Sequence, residues 1–216
     1  MDVLLIVIVF TFRFMGICWL TFALLLMMGC QSSPPHSIFP KSVVLQAGDL
    51  AFRRGNGLTS RFVLESDPQG HYSHVGIAVN EDGVWMVVHA VPDEPDFPGD
   101  VDRIKMEPID QYFSSLNASQ GCVLRYVDSC MASHAAVEAK RLYGKHLLFD
   151  HEYDRSDTTK MYCCELIEYA FAQSGDSLVN GVGHDLALPV FHYRNLLFPS
   201  DLYQVGGMRE IAHFGK

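Results

Sequence analysis

The stretch His71-Tyr72-Ser73-His74-Val75-Gly76-Ile77-Ala78-Val79, the turn Asn80-Glu81-Asp82-Gly83 and the run Val84-Trp85-Met86-Val87-Val88-His89-Ala90 decide how this chain is read. Two apolar runs of strand length flank a turn that ends in Asp-Gly, the pattern of an antiparallel hairpin. His74 immediately precedes the first run and His89 ends the second. A closed hairpin therefore brings both imidazoles to the same edge of the sheet, where one can act as a base and the other can orient it. His71, three residues before His74, makes a metal pair conceivable. No carboxylate or cysteine stands beside it at a matching spacing, so no metal site and no cofactor is expected.

Downstream, Tyr162-Cys163-Cys164-Glu165-Leu166 opens a segment whose Leu166, Ile167, Ala170 and Phe171 have helical spacing, expected to run from about Cys163 to Ala172 and to stop at Gly175. A thiol at a helix start meets backbone N–H groups without intrahelical partners and the positive end of the helix dipole. Such a thiol has a lowered pKa, and the same N–H groups can hold an oxyanion. The tandem cysteines point about 100° apart on a helix, so at most one faces the strands, and the residues alone barely separate Cys163 from Cys164.

Between these landmarks, Ala47-Gly48-Asp49-Leu50-Ala51-Phe52 reads as a strand and Leu58 to Leu64 as a short helix. A helical turn starts at Pro108, and Cys122 to Val127 forms a further strand. Ser129 to Tyr143 is a helix capped by Ser129, stopped by Gly144, with Ala132, Ala135, Ala136, Ala139 and Leu142 on one face. The whole predicts an α+β domain, with antiparallel strands and helices packed to one side. The loop after His89 carries Asp93, Glu94, Asp96 and Asp100. It is either an ordinary solvated loop or a cluster that selects substrates bearing a free amine.

The N-terminus is apolar from Val3 to Met28, interrupted by Arg13, and closes on Gly29-Cys30 before the polar Gln31-Ser32-Ser33-Pro34-Pro35. This pattern is that of a bacterial lipoprotein signal: residues 1–29 removed, Cys30 lipidated, residues 30–42 a tether, residues 43–216 the folded domain. An uncleaved anchor is the alternative. Both place the domain outside the cytoplasm, in the cell envelope beside a bacterial membrane. The net charge of -9 and the lack of a basic patch exclude a nucleic-acid partner. Cys122 and Cys130 leave a disulfide open in an oxidising compartment, although their spacing alone does not argue for one.

Taken together, Gly48-Asp49-Leu50-Ala51-Phe52, Tyr72-Ser73-His74-Val75-Gly76, His89-Ala90, Arg141-Leu142-Tyr143-Gly144 with Phe149-Asp150, and Tyr162-Cys163-Cys164-Glu165-Leu166-Ile167 resemble the YiiX-like permuted papain-like enzymes. These are circularly permuted relatives of the NlpC/P60 cell-wall peptidases and more distant cousins of lecithin:retinol acyltransferase. The resemblance spans roughly Leu45 to Gly175. It implies Cys163 as nucleophile and His74 as base. The third polar position falls on His89, where a close relative looks to carry glutamate. Tyr72 and Tyr162, beside the catalytic residues, are candidates to line the cleft or hold the oxyanion. The implied activity is hydrolysis of an amide, in a peptidoglycan-derived peptide, through a thioester. The alternatives are a thioesterase or acyltransferase acting on a lipid-like substrate, and a lipoprotein that binds in the same cleft without turnover.

Overall fold

The computed structural model describes residues 34–67, 69–187 and 192–215. The apolar leader, Cys30 and the first residues of the tether lie outside them. Ten strands and five helices follow in chain order: β1 (Leu50–Gly55), α1 (Leu58–Ser66), β2 (His74–Glu81), β3 (Val84–Val91), β4 (Arg103–Pro108), α2 (Ile109–Tyr112), β5 (Ala118–Tyr126), α3 (Ser129–Gly144), β6 (Leu148–Phe149), β7 (Lys160–Met161), α4 (Cys163–Ser174), β8 (His184–Ala187), β9 (His192–Leu196), α5 (Pro199–Tyr203) and β10 (Met208–Gly215). Eight strands form one sheet in the order β10-β5-β1-β2-β3-β4-β6-β7, antiparallel except for the short β6–β7 pair. β8 and β9 form a separate hairpin. The molecule is α+β, as its sequence pattern predicts.

The β2–β3 hairpin closes through Asp82 and Gly83, both at positive φ (48° and 87°). Two such residues form the turn whose twist matches that of the strands, and glycine adopts the second position without strain. Asn80 accepts a hydrogen bond from the Gly83 N–H at 3.0 Å, which fixes the turn from within. Register then assigns the faces. Ile77 pairs with Val88 and Leu50, and Phe52 pairs with Val75, so these apolar side chains share one face. That face packs against the alanine stripe of α3 and against Leu166, Ile167, Ala170 and Phe171 of α4, forming the main core.

The opposite face carries Ala51, Val87 and Val123, covered by Ile109 and Tyr112 of α2, by Phe113 and by Phe214 in a second, smaller core. The same register puts Arg53, His74, His89, Lys105 and Glu107 on this face, because Arg53 pairs with His74, His89 with Lys105, and Val87 with Glu107. All five are buried.

One local expectation is corrected. The cap of α3 is Asp128 rather than Ser129: its carboxylate accepts from the backbone N–H groups of Cys130 and Met131, both at 3.0 Å. A carboxylate one residue earlier reaches the unsatisfied donors that Ser129, already helical, cannot. Cys122 is buried on β5 and Cys130 exposed on α3, and both thiols are free. α4 begins at Cys163, with Tyr162 as its N-cap and Gly175 at its C-cap. No described helix is long and apolar enough to cross a membrane.

Candidate active site

His74 opens β2 and His89 lies two residues from the end of β3, on the same face and diagonal to one another across the pair. Their rings meet at 2.9 Å, His74 Nε2 to His89 Nδ1, with ring planes at 76°. Gly76, which register places opposite His89, makes this possible. A Cβ there would stand 2.4 Å from a Val87 methyl and 3.1 Å from the His89 Cβ. Any side chain would crowd Val87 and the Cβ that carries the His89 ring.

The polar chain continues beyond the two histidines. His89 Nε2 lies 3.0 Å from Glu107 Oε1, a close polar contact off the direction of the ring N–H. A carboxylate beside Nε2 favours the tautomer with its proton there, so His89 Nδ1 accepts from His74 Nε2–H. That leaves Nδ1 of His74 unprotonated and available as the base. Tyr112 packs across both rings, with centroids 5.9 Å and 5.0 Å away, and its hydroxyl donates to the Ala51 carbonyl at 2.8 Å. The Arg53 guanidinium stands 4.5 Å over the Tyr112 ring and donates to the Tyr112 carbonyl at 2.9 Å.

At the N-terminus of α4 the Cys163 thiol is partly exposed and Cys164 is buried. The two sulfurs are 3.8 Å apart. The Cys163 thiol is held well below the ordinary thiol range, first by its hydrogen bond with Cys164, then by His74 and the backbone at Val75, against the opposing effect of burial. Burial and the neighbouring sulfur push Cys164 well above that range, so it keeps its proton and donates it. Burial brings His74 down to about 4, with Cys163 partly offsetting this, and burial also lowers His89. The two shifts oppose each other: a depressed thiol favours a resting thiolate, whereas a depressed His74 disfavours the imidazolium that would accompany it. The cost of burying a charged ring decides, and His74 rests neutral.

The other sequence-derived candidates divide. Tyr162 caps α4, its hydroxyl accepts from the Leu197 N–H at 2.8 Å, and its ring lines the cleft above Cys163. Tyr72 turns away: its hydroxyl meets His213 Nδ1 at 3.2 Å, among Cys122 and Tyr203, and it does not line the cleft. The acidic loop is engaged internally. Glu94 pairs with Arg53, Asp96 with Arg103 (2.9 Å) and Lys105 (2.6 Å), and Asp100 with Arg103 (3.0 Å). Asp93 accepts from the Thr59 hydroxyl at 3.2 Å. Glu94, Asp96 and Asp100 are thus paired with cations of the chain itself, whereas Asp93 meets only a hydroxyl and lines the cleft beside His74.

Sequence reasoning did not single out Glu107, Arg53, Tyr112 or Lys105. Arg103-Ile104-Lys105-Met106-Glu107 alternates charged and apolar residues, which reads as a strand with one solvated face. Only α2 folding over that face turns the charged side into a buried one. Among the described residues no group of three or more His, Cys, Asp or Glu is placed to hold a metal ion. His74 and His89 direct ring nitrogens at each other rather than at a common point.

No protein-family model matches the chain, and no curated protein matches it significantly. Among solved structures, it is similar to the crystal structure of metalloprotein yiiX from Escherichia coli O157:H7 (DUF1105), with a TM-score of 0.60 at 18% sequence identity, over 77% of this chain and 96% of that one. At this identity the likeness is one of fold.

Proposed function

We propose that the protein is a cysteine-nucleophile acyl hydrolase of the permuted papain-like type, cleaving an amide or ester through a thioester. The observation that carries this reading is geometric: the Cys163 thiol at the N-terminus of α4 lines one cleft together with His74, whose Nε2 meets His89 beside the Glu107 carboxylate. His74 takes the thiol proton as the Cys163 sulfur attacks the substrate carbonyl carbon; the C–S bond forms, and the carbonyl electrons move to oxygen. The unpaired N–H groups in the first turn of α4 are suited to hold that oxyanion. As the carbonyl re-forms, the bond to the leaving group breaks, and the imidazolium of His74 returns the thiol proton to the leaving nitrogen or oxygen. His74 then takes a proton from water, the resulting hydroxide displaces the thiolate, and a carboxylic acid departs.

A lipid-like acyl substrate is favoured over a charged stem peptide by two observations: the acidic loop is paired with Arg53, Lys105 and Arg103, and the cleft at Cys163 is apolar. The leader ending at Gly29-Cys30 supports a lipid-anchored place in the cell envelope, which metabolic lipid labelling of the wild type against Cys30→Ala tests. Treatment of the mature protein with a thiol-directed acylating probe, followed by mapping of the modified residue, tests the enzyme reading. Acylation at Cys163 that is lost in His74→Ala is expected. Preferential acylation of Cys122 or Cys130 overturns it.

A further inference from the structure

One rim of the molecule carries large apolar side chains that its own fold leaves uncovered. No residue of α1 is buried, and Leu58 at its start is 83% exposed. Phe62, one helical turn on and therefore on the same face, is 37% exposed. Leu116, in the turn before β5, is 66% exposed. Leu58 and Leu116 line the same open cleft beside His74, and Phe62 lines the cleft at Cys163. The Asn56 side chain ties the two walls together, donating to the Ser115 and Leu116 carbonyls at 3.1 Å each. Single exposed leucines are ordinary on a protein surface, but three large apolar side chains around one mouth make a patch.

The chain enters the fold beside this rim. Ser37 bridges Ser114, the Ser115 N–H donates to the His36 carbonyl at 2.8 Å, and the Ile38 N–H donates to the Phe113 carbonyl at 2.9 Å. Ser115 adjoins Leu116, so the point of entry and the apolar patch are neighbours. On the lipid-anchor reading above, Cys30 sits at a membrane surface, and the seven residues from there to Ser37 reach at most about 25 Å. A domain of this size is about 40 Å across. A tether shorter than the domain is wide keeps the entry end, and the patch with it, against the bilayer. Resting on that anchor, we propose that Leu58, Phe62 and Leu116 dock the domain on a zwitterionic phospholipid bilayer, their side chains inserted at the headgroup level and the cleft mouths turned to the lipid surface. Apolar insertion supplies the attraction. The chain carries a net charge of -9, and Asp93 lines the cleft beside His74 with the neutral Thr59 hydroxyl as its side-chain partner, so an anionic surface is disfavoured. Arg61, exposed beside Phe62 on α1, is placed to meet a lipid phosphate. The anchor raises the local concentration of lipid, which lets a patch this small stay docked.

The test uses the mature lipidated protein reconstituted into phosphatidylcholine vesicles, with a tryptophan introduced by Leu58→Trp, Leu116→Trp or, on α3, Val137→Trp. Val137 is 65% exposed, much like Leu116, but lines neither cleft. Phospholipids brominated near the top of the acyl chain quench a tryptophan that inserts among them. Measured against the unsubstituted protein, whose Trp85 is the background, quenching is expected to be about twofold or more stronger for Leu58→Trp and Leu116→Trp than for Val137→Trp. Adding Leu58→Ser and Phe62→Ser to Leu116→Trp should weaken it. Equal quenching at positions 116 and 137, or quenching at neither, overturns the docking face, including the case in which the patch pairs two copies of the chain instead. Intact mass keeps the two levels apart. A lipidated Cys30 without preferential quenching sinks the docking inference alone, whereas an unlipidated Cys30 sinks the anchor reading and this inference with it.

Discussion

At the scale of single residues the site is a line of four groups, Cys163, His74, His89 and Glu107, with Cys164 beside the sulfur. The tandem thiols have opposite roles. Cys163 lines the cleft and is depressed, while Cys164 is buried and keeps its proton. Cys163→Ser should remove turnover with the fold intact, as judged by circular dichroism. Cys164→Ala should retain turnover but move the pH midpoint of iodoacetamide alkylation at Cys163 upward, toward the ordinary thiol range. An unchanged midpoint would deny Cys164 its hydrogen-bonding role. Glu107 reaches the site through His89, beside whose Nε2 its carboxylate stands. Glu107→Gln removes that negative charge and should lower kcat severalfold. KM should stay near its wild-type value, since Glu107 does not line the cleft of the acyl group. A matching rise in KM would mean that the substitution distorts the cleft instead.

At the scale of elements, the β2–β3 hairpin and the start of α4 are the positioning devices. Register fixes His74 and His89 on one face, and the absence of a side chain at Gly76 lets the rings close. Gly76→Ala introduces a methyl group into contact with Val87, so it should destabilise the fold by about 1–3 kcal/mol in urea titrations. It should also lower activity beyond what the unfolded fraction explains. Full activity in the folded fraction would show that the hairpin tolerates a wider separation of the imidazoles. The capping of α3 offers a control remote from the chemistry. Asp128→Ala should cost about 1 kcal/mol of stability through two lost backbone hydrogen bonds, and kcat of the folded protein should be untouched.

At the scale of the whole molecule, two cores share one sheet, and the smaller one encloses titratable groups. His74 has its pKa lowered by burial to about 4, and His89 is lowered in the same way. Both fold as neutral rings. The unfolded chain binds protons at its histidines as pH falls through about 6.5, while the folded chain resists until about 4. Stability from these groups is thus present above pH 6.5 and is lost as pH drops toward 4. His74 alone contributes on the order of 3 kcal/mol to that loss, from about 1.4 kcal/mol per pKa unit. Thermal midpoints should therefore fall steeply between pH 6.5 and 4 for the wild type, and less steeply for His74→Gln. Parallel slopes for the two proteins would assign the acid sensitivity to other groups.

Local signals determined much of this molecule. The Asp-Gly turn between two β-rich runs specified the hairpin, and with it the meeting of His74 and His89. The apolar spacing after Cys163 specified the helix that carries the thiol, and the alanine stripe specified the buried face of α3. These signals are legible because they depend on neighbours within a few residues. What the sequence left open depends on distant pieces of chain. Lys105 and Glu107 look solvated until α2 and the Arg53–Tyr112 pair cover their face of the sheet. Tyr72 stands two residues before His74, where strict strand alternation would give both one face; it precedes the start of β2, however, and packs in the main core with its hydroxyl against His213 on β10. Glu94, Asp96 and Asp100 of the acidic loop are paired with Arg53, Lys105 and Arg103, from β1 and β4, and the apolar cleft is completed by Tyr193 and the residues from Leu196 to Pro199. Pairing partners and enclosure are set by long-range packing, so only the tertiary structure could decide which charges are buried and what surface the thiol faces.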